Sequence, residues 1–105
     1  MRDLVSGSTM KQLDDNTSTY FHVPSVVLME QAATGFVQEL LTLGEFQHIL
    51  ILCGNGNNGA DGVAVARLLN QCQIHTVLCP LIKQGGSELY QLQMQIYDTY
   101  AYEKS

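Results

Sequence analysis

The chain has 105 residues, of which 46% are hydrophobic and 14% are charged, and its formal net charge is -5. This size and apolar content predict one globular domain over residues 1–105. The five basic residues are scattered, which argues against a nucleic-acid-binding face because phosphate neutralisation needs clustered Lys and Arg. No apolar run reaches the ~18 residues of a membrane span, and no signal peptide is recognisable, so we expect a cytoplasmic chain without membrane contact.

Two helices are predicted first. Apolar residues at spacings of three and four after Ser8 indicate an amphipathic helix over residues 8–19. Pro24 favours the first turn of a second helix, whose apolar stripe runs from Val26 to Leu40 and which Gly44 ends.

A strand, a loop, a helix and a second strand follow. His48 to Cys53 is a near-continuous apolar run, which is typical of a parallel strand buried on both faces. Helical spacing after the loop continues to about Gln71, and residues 74–81 predict the second strand. Such a unit closes as a right-handed crossover, which makes its two strands parallel.

The chain ends with another predicted helix. Apolar residues from Leu89 to Tyr100 recur at helical spacing, and Ser87 is a suitable N-cap. The tail from Glu103 is predicted to be frayed. Together these elements predict an α/β layer structure with two strands and four or five helices.

The cysteines and histidines form no recognisable catalytic set. Cys53, Cys72 and Cys79 lack C-x-x-C spacing, and we interpret them as small hydrophobic residues in a reducing compartment. Cys53 is a candidate nucleophile, but the sequence places no histidine to activate it. His48 and His75, like His22, are interpreted as solvated or core-edge residues.

Residues 54–62, Gly-Asn-Gly-Asn-Asn-Gly-Ala-Asp-Gly, form a candidate binding loop between the first strand and the next helix. Gly54, Gly56 and Gly59 match G-x-G-x-x-G, the pattern that lets a pyrophosphate rest on a helix N-terminus. A dehydrogenase also needs an acidic residue about 20 positions later, where this chain has residues 79–81, Cys-Pro-Leu. The hydride-transfer class is therefore disfavoured.

The same loop offers hard oxygen ligands. Asn57, Asn58 and Asp61 carry the amide and carboxylate oxygens that suit alkali or alkaline-earth ions. Asp61 would repel a phosphate docked on the same amides, and a bridging cation would reconcile the two. The alternative is that residues 57–59 form a tight turn and Asp61 caps the helix. Arg67, in the following helix, is expected to form a salt bridge rather than a phosphate contact.

Three segments carry a resemblance to a known family. Residues 54–62, followed by Val65-Ala66-Arg67-Leu68-Leu69, resemble the G-x-G-N-N-G-G-D-G…A-R-x-L signature of YjeF N-terminal domains, the NAD(P)H-hydrate epimerases. Residues 23–33 are similar to the family's I-P-S…L-M-E-R-A-G helix, and Met10 to Asp14 is similar to its first helix. The resemblance implies a Rossmann-like three-layer α/β/α fold with a parallel sheet and two extra N-terminal helices.

The resemblance also implies an activity and a site. The activity is interconversion of the R and S epimers of hydrated NADH and NADPH in nucleotide repair. The residues implied to contact the hydrated dinucleotide are Asn57, Asn58, Gly59, Ala60 and Asp61. Asn58 is further implied to bind a potassium ion, and no catalytic residue is assigned.

The sequence departs from the family pattern in composition and in length. Ala60 replaces a loop glycine, which is tolerated only if its φ is negative, and Gln31 and Ala33 replace Arg and Gly. The resemblance covers about the first half of the family domain, which implies an incomplete sheet and a homodimer or association through its exposed edge. The alternative function is a non-catalytic YjeF-like ligand-binding or protein-interaction domain.

Overall fold

The computed structural model describes the backbone of residues 2–5 and the whole of residues 24–105. Its elements are β1 Arg2–Val5, α1 Ser25–Thr42, β2 His48–Cys53, α2 Asn57–Gln71, β3 His75–Pro80 and α3 Glu88–Thr99. The second predicted helix and all later predicted elements are confirmed. The helix predicted over residues 8–19 lies outside the described residues. Among the helices described, none has the length and apolarity needed to cross a membrane.

The three strands form one parallel sheet in the order β1-β2-β3. β2 lies in the centre, with His48 opposite both Arg2 and His75 in the register. The sequence predicted two strands, whereas the sheet has three, because β1 was not predicted. Residues 2–5 are a short segment with two charges, and such a segment becomes a strand only because β2 supplies a pairing edge.

The C-terminal tail lies along the outer edge of β3. The amide of Leu78 donates a hydrogen bond to the Glu103 carbonyl at 3.1 Å, and the amide of Ser105 donates to the Leu78 carbonyl at 2.9 Å. Lys104 forms a parallel bridge with Leu78. The prediction of a frayed tail was wrong, because a strand edge provides partners for backbone groups that no local pattern reveals.

Helix α2 is the centre of the core. It packs against α1, α3, β2 and β3. Its residues are buried without interruption from Gly59 to Arg67. A helix that is buried on all sides carries mostly small or apolar residues around its circumference. Residues 59–66 accordingly contain five glycine or alanine residues and two valines, with Asp61 as the one charged residue. This position places the loop before α2 at the carboxyl end of β2.

Only one face of the sheet is well covered in the described part of the chain. Burial alternates along β2 and β3, so that Ile49, Ile51 and Leu78 face the helices, whereas Leu52 is 37% exposed. The expectation that β2 is buried on both faces is therefore not met within these residues. The second helical layer that the resemblance implied is not among the residues described.

A hydrogen-bond network around Tyr97 joins α2, β3, α3 and the tail. The fully buried Tyr97 hydroxyl donates to the Glu103 carbonyl at 2.6 Å. The Asn70 amide donates to the Thr76 carbonyl at 3.2 Å, and the Thr76 amide donates back to Asn70 Oδ1 at 3.3 Å. Burial raises the pKa of Tyr97 to about 12. The neutral hydroxyl thus anchors the tail to the core.

Arg67 forms an ion pair with Glu30 of α1, which confirms the predicted salt bridge. The Arg67 side chain is 8% exposed, and its second terminal nitrogen donates to Gln71 at 3.4 Å. The pair joins two of the segments that carry the family resemblance. Its role in this structure is to hold α1 on α2, because a nearly buried guanidinium needs a carboxylate partner.

Candidate ligand-binding site

The glycine-rich loop leads from the carboxyl end of β2 directly into α2. Gly56 is the N-cap of α2 in extended conformation, no side chain caps the helix, and the first turn contains no acidic residue. The first N–H groups of a helix have no intrahelical acceptors, and the helix dipole places partial positive charge beside them. This end of α2 therefore has the chemistry of an anion-binding site.

Gly59 is required by close packing of the helix on the loop. A Cβ at Gly59 would overlap the Gly54 carbonyl group, which is backbone and cannot rotate away. At Gly54 and Gly56 an added Cβ would meet nothing within 4 Å. Of the three glycines in the G-x-G-x-x-G match, the third is thus the one whose missing side chain the protein fold needs.

The five predicted contact residues occupy the first turns of α2 in two environments. Asn57 and Asn58 are exposed, whereas Gly59, Ala60 and Asp61 are buried. Ala60 is helical, and its amide donates to the Gly56 carbonyl at 2.9 Å, so its replacement of a glycine causes no backbone strain.

The alternative interpretation of this segment was wrong. Residues 57–59 belong to the helix rather than to a tight turn, and the N-cap is Gly56 rather than Asp61. Asp61 lies one turn inside α2 and is 1% exposed. Local turn chemistry favoured the capping role, but packing of α2 against the sheet starts the helix five residues earlier.

The oxygen donors that face solvent are the two asparagine amides. Asn57 and Asn58 are each one helical turn from Asp61, so all three lie towards one side of the helix, but only the amides are exposed. Across residues 24–105 no cluster of three or more His, Cys, Asp or Glu side chains has the arrangement of a metal centre. The exposed side-chain oxygens in the first turn of α2 are therefore amide oxygens.

The N-termini of all three described helices meet around one open cleft. The cleft has a volume of about 580 Å³ and is lined by Pro24, Ser25, Val26, Asn57, Glu88, Leu89 and Leu92. It brings the Pro24-Ser25 segment beside Asn57, although the two are far apart in sequence. The α3 residues were not predicted from the sequence, and the signal that could have found them is that α3 follows a second parallel strand at the same sheet edge.

The loop after β3 braces the glycine-rich loop. The Asn55 carbonyl accepts a hydrogen bond from the Ser87 amide at 2.8 Å, and its side chain donates to the Gln84 carbonyl at 3.1 Å. Gly86 has a φ of +117°, and a Cβ there would lie 2.6 Å from the Asn55 carbonyl oxygen. These contacts join the two loops into one rim, which the sequence did not predict.

Cys53 does not have the properties of a nucleophile. It is 4% exposed, and burial raises the pKa of its thiol from 9.0 to about 11, with a smaller contribution from Cys79. The reactive form of cysteine is the thiolate, which burial disfavours here. Cys53 is therefore a buried core thiol rather than an activated nucleophile.

We expect iodoacetamide at pH 8 to modify Cys72 well before Cys53. Cys72 is exposed, whereas Cys53 is buried and protonated at this pH. Mass spectrometry of tryptic peptides after timed quenching measures the two rates, with the unfolded chain as the reference in which both should react alike. Equal rates in the folded chain would contradict the assignment of Cys53 as an inert core residue.

The chain is similar to curated proteins along most of its length. It is 46% identical to the NAD(P)H-hydrate epimerase of Weissella koreensis over 80 residues, which are 74% of this chain and 36% of that protein. It is 35% identical to the NAD(P)H-hydrate epimerase of Limosilactobacillus reuteri over 100 residues, 92% of this chain and 47% of that protein. The chain thus spans about a third to a half of the length of these relatives.

A solved structure and a family comparison agree with this similarity. The crystal structure of yeast ynu0, YNL200c, superposes with a TM-score of 0.66 at 21% identity, covering 97% of this chain and 46% of that one. At this identity the likeness establishes the α/β fold alone. The family described as "YjeF-related protein N-terminus" matches residues 25–104. That match includes β2, β3, all three described helices and the glycine-rich loop between β2 and α2. The chain therefore belongs to the YjeF-related protein N-terminus family.

Proposed function

We propose that this chain binds hydrated NADH or NADPH in the cleft between the three helix N-termini and takes part in interconverting the R and S epimers. The relatives named NAD(P)H-hydrate epimerase support the substrate class and the isomerase activity. The observation that carries the proposal is the meeting of Pro24 and Ser25 with Asn57 around that cleft. These segments are two of those that resemble the family signature.

The electrostatics of the cleft support a dinucleotide as the ligand. The uncapped N-terminus of α2 is suited to a phosphate group. Leu89 and Leu92 provide an apolar wall on the other side, against which a ring system can pack. The Asn55 hydrogen bonds to the loop after β3 hold the phosphate-facing loop in place before the ligand arrives.

We further propose that potassium binds with the dinucleotide and that Asn58 supplies one of its oxygen ligands. The exposed amide of Asn58 fits this role, because carbonyl-type oxygens can replace the hydration shell of a potassium ion. The proposed contact of Gly59 is through its backbone amide. Ala60, whose amide donates to the Gly56 carbonyl, is proposed to line the site by close approach. Asp61 is buried in α2, so its carboxylate would influence the ligand without lying at the exposed surface of the helix.

An Asn57→Asp variant tests the binding proposal sharply. The new carboxylate lies in the first turn of α2, where it favours the helix dipole and so leaves stability equal or higher. The same charge repels a phosphate at that helix end. We therefore expect the affinity for NADP to fall about tenfold, which corresponds to a loss of roughly 1.4 kcal/mol in binding free energy. Isothermal titration calorimetry with NADP, in potassium and in sodium buffers, measures the change.

Gln38→Glu is the matched control, because it adds the same charge at an exposed position of α1 away from the cleft. If both variants weaken NADP binding equally, net charge rather than the α2 terminus is responsible and the proposed site is wrong. Turnover is measured separately, by chiral chromatography of the R epimer with and without the chain. Binding without acceleration would favour the alternative function, a non-catalytic ligand-binding domain.

We also propose that the chain is cytoplasmic and associates with a second copy. The three free thiols, Cys53, Cys72 and Cys79, fit a reducing compartment.

Leu52 on the less covered sheet face and the exposed Leu81 and Ile82 beyond β3 supply apolar surface for self-association. Sedimentation equilibrium over a range of concentrations tests this, and a monomer throughout would rule the dimer out.

A further inference from the structure

Two histidines lie side by side at the amino end of the sheet. His48 is the first residue of β2, His75 is the first residue of β3, and the two are direct register partners. Their Nδ1 atoms are 2.9 Å apart, and the rings meet edge to face with centroids 5.1 Å apart. Both side chains are exposed, so the pair is open to solvent.

A carboxylate orients one of the two rings. His75 Nε2 lies 2.9 Å from Glu103 Oε1. A carboxylate only accepts hydrogen bonds, so Nε2 carries the proton and the neutral ring has its lone pair on Nδ1. That lone pair points towards His48. A carboxylate on the far nitrogen of a histidine is the usual outer partner of a metal-binding imidazole, because it sets the tautomer and raises ligand basicity.

We propose that His48 and His75 form a binding site for a divalent transition-metal ion such as zinc, with Glu103 as the positioning residue behind His75. Imidazole nitrogens bind zinc at about 2.0–2.1 Å, and two such ligands of a tetrahedral ion lie about 3.3 Å apart. The observed separation of 2.9 Å reaches that value with a shift of a few tenths of an ångström. Side-chain rotation in two exposed rings supplies this movement. Before binding, His48 Nδ1 donates its proton to the His75 lone pair, and on binding that proton moves to His48 Nε2 by exchange with water, so that both Nδ1 lone pairs face the ion.

The remaining ligands in this site are water molecules. Residues 24–105 place no third His, Cys, Asp or Glu side chain in an arrangement that could complete the ion's shell. A site with two protein ligands binds more weakly than the four-ligand structural zinc sites. We therefore expect dissociation constants in the micromolar range, and the bound ion would link the amino ends of β2 and β3.

This site is separate from the proposed dinucleotide cleft. The cleft lies at the carboxyl end of β2 and the histidine pair at its amino end, about 16 Å away at the usual rise per strand residue. The two proposals therefore fail or succeed independently. Zinc binding at the histidine pair requires no dinucleotide and no potassium.

Calorimetric titration of the untagged chain with zinc chloride tests the site. We expect one ion per chain, and a rise in the thermal unfolding temperature, because an ion that binds only the folded state stabilises it. His48→Ala and His75→Ala should each abolish both effects. Glu103→Ala should weaken zinc binding about tenfold, and Glu103→Gln should weaken it less because the amide oxygen still accepts from Nε2.

Two variants separate this site from other zinc-binding groups. His22→Ala removes the third histidine of the chain, and Cys72→Ser removes the exposed thiol, and both should bind zinc as the parent does. Circular dichroism confirms that each variant is folded. Absence of binding up to about 1 mM zinc, or binding that persists in both His48→Ala and His75→Ala, overturns the proposal. Binding lost in Cys72→Ser also overturns it.

Discussion

Gly59→Ala should destabilise the chain by about 3 kcal/mol, because the new methyl group overlaps the backbone of Gly54. Neither partner has a side-chain torsion that could relieve the overlap, so α2 has to move away from the end of β2. In a chain of this size such a loss lowers the unfolding temperature by roughly 10–20 °C. Urea unfolding followed by circular dichroism measures it.

Gly54→Ala and Gly56→Ala are the matched controls. Each adds the same methyl group to the same loop, but into open space, so we expect a change of a few tenths of a kcal/mol at Gly54 and of about 1 kcal/mol or less at the N-cap Gly56. The NADP affinity of Gly59→Ala should fall with its stability, since the displaced helix end is the proposed phosphate site. A Gly59→Ala chain as stable as the Gly56→Ala chain would mean that loop and helix are not in the contact described.

Tyr97→Ala should have an effect of similar size, about 3–5 kcal/mol, because it empties a large fully buried site. Tyr97→Phe keeps the ring and removes only the hydroxyl that donates to the Glu103 carbonyl, so about 1 kcal/mol is expected. The difference between the two variants separates packing from the hydrogen bond. Denaturant unfolding of both, with the exposed Tyr100→Phe as control, measures it.

The same residue predicts how stability changes at high pH. The pKa of Tyr97 is raised from 10.0 to about 12 in the folded chain, so the folded state holds the proton more tightly than the unfolded state. The stabilisation that comes from this difference in the pKa of Tyr97 is complete below pH 10 and is lost as the pH rises to about 12. Tyr97→Phe should therefore lose less stability over this interval than the parent. Parallel losses in the two chains would show that Tyr97 does not titrate as described.

The three described helices and the strands β2 and β3 were predictable because their sequence signals are local. The apolar run from His48 to Cys53 and the helical spacing after Ser87 correspond to β2 and α3 with little error. The site was predictable only in part. Asn57 and Asn58 lie exposed at the helix end as a ligand loop requires, but the contribution of Glu88 and the bracing by Ser87 depend on which loops meet in space.

The sequence by itself determined the order of the elements from α1 to α3, the glycine-rich loop and the family. It did so because hydrophobic spacing and turn residues act over a few positions. Only the tertiary structure decided that residues 2–5 form a strand, that the tail pairs with β3 and that Asp61 is buried one turn inside α2. These outcomes depend on pairing and packing partners that are distant in the chain. For the same reason only the folded sheet reveals His48 and His75 as neighbours.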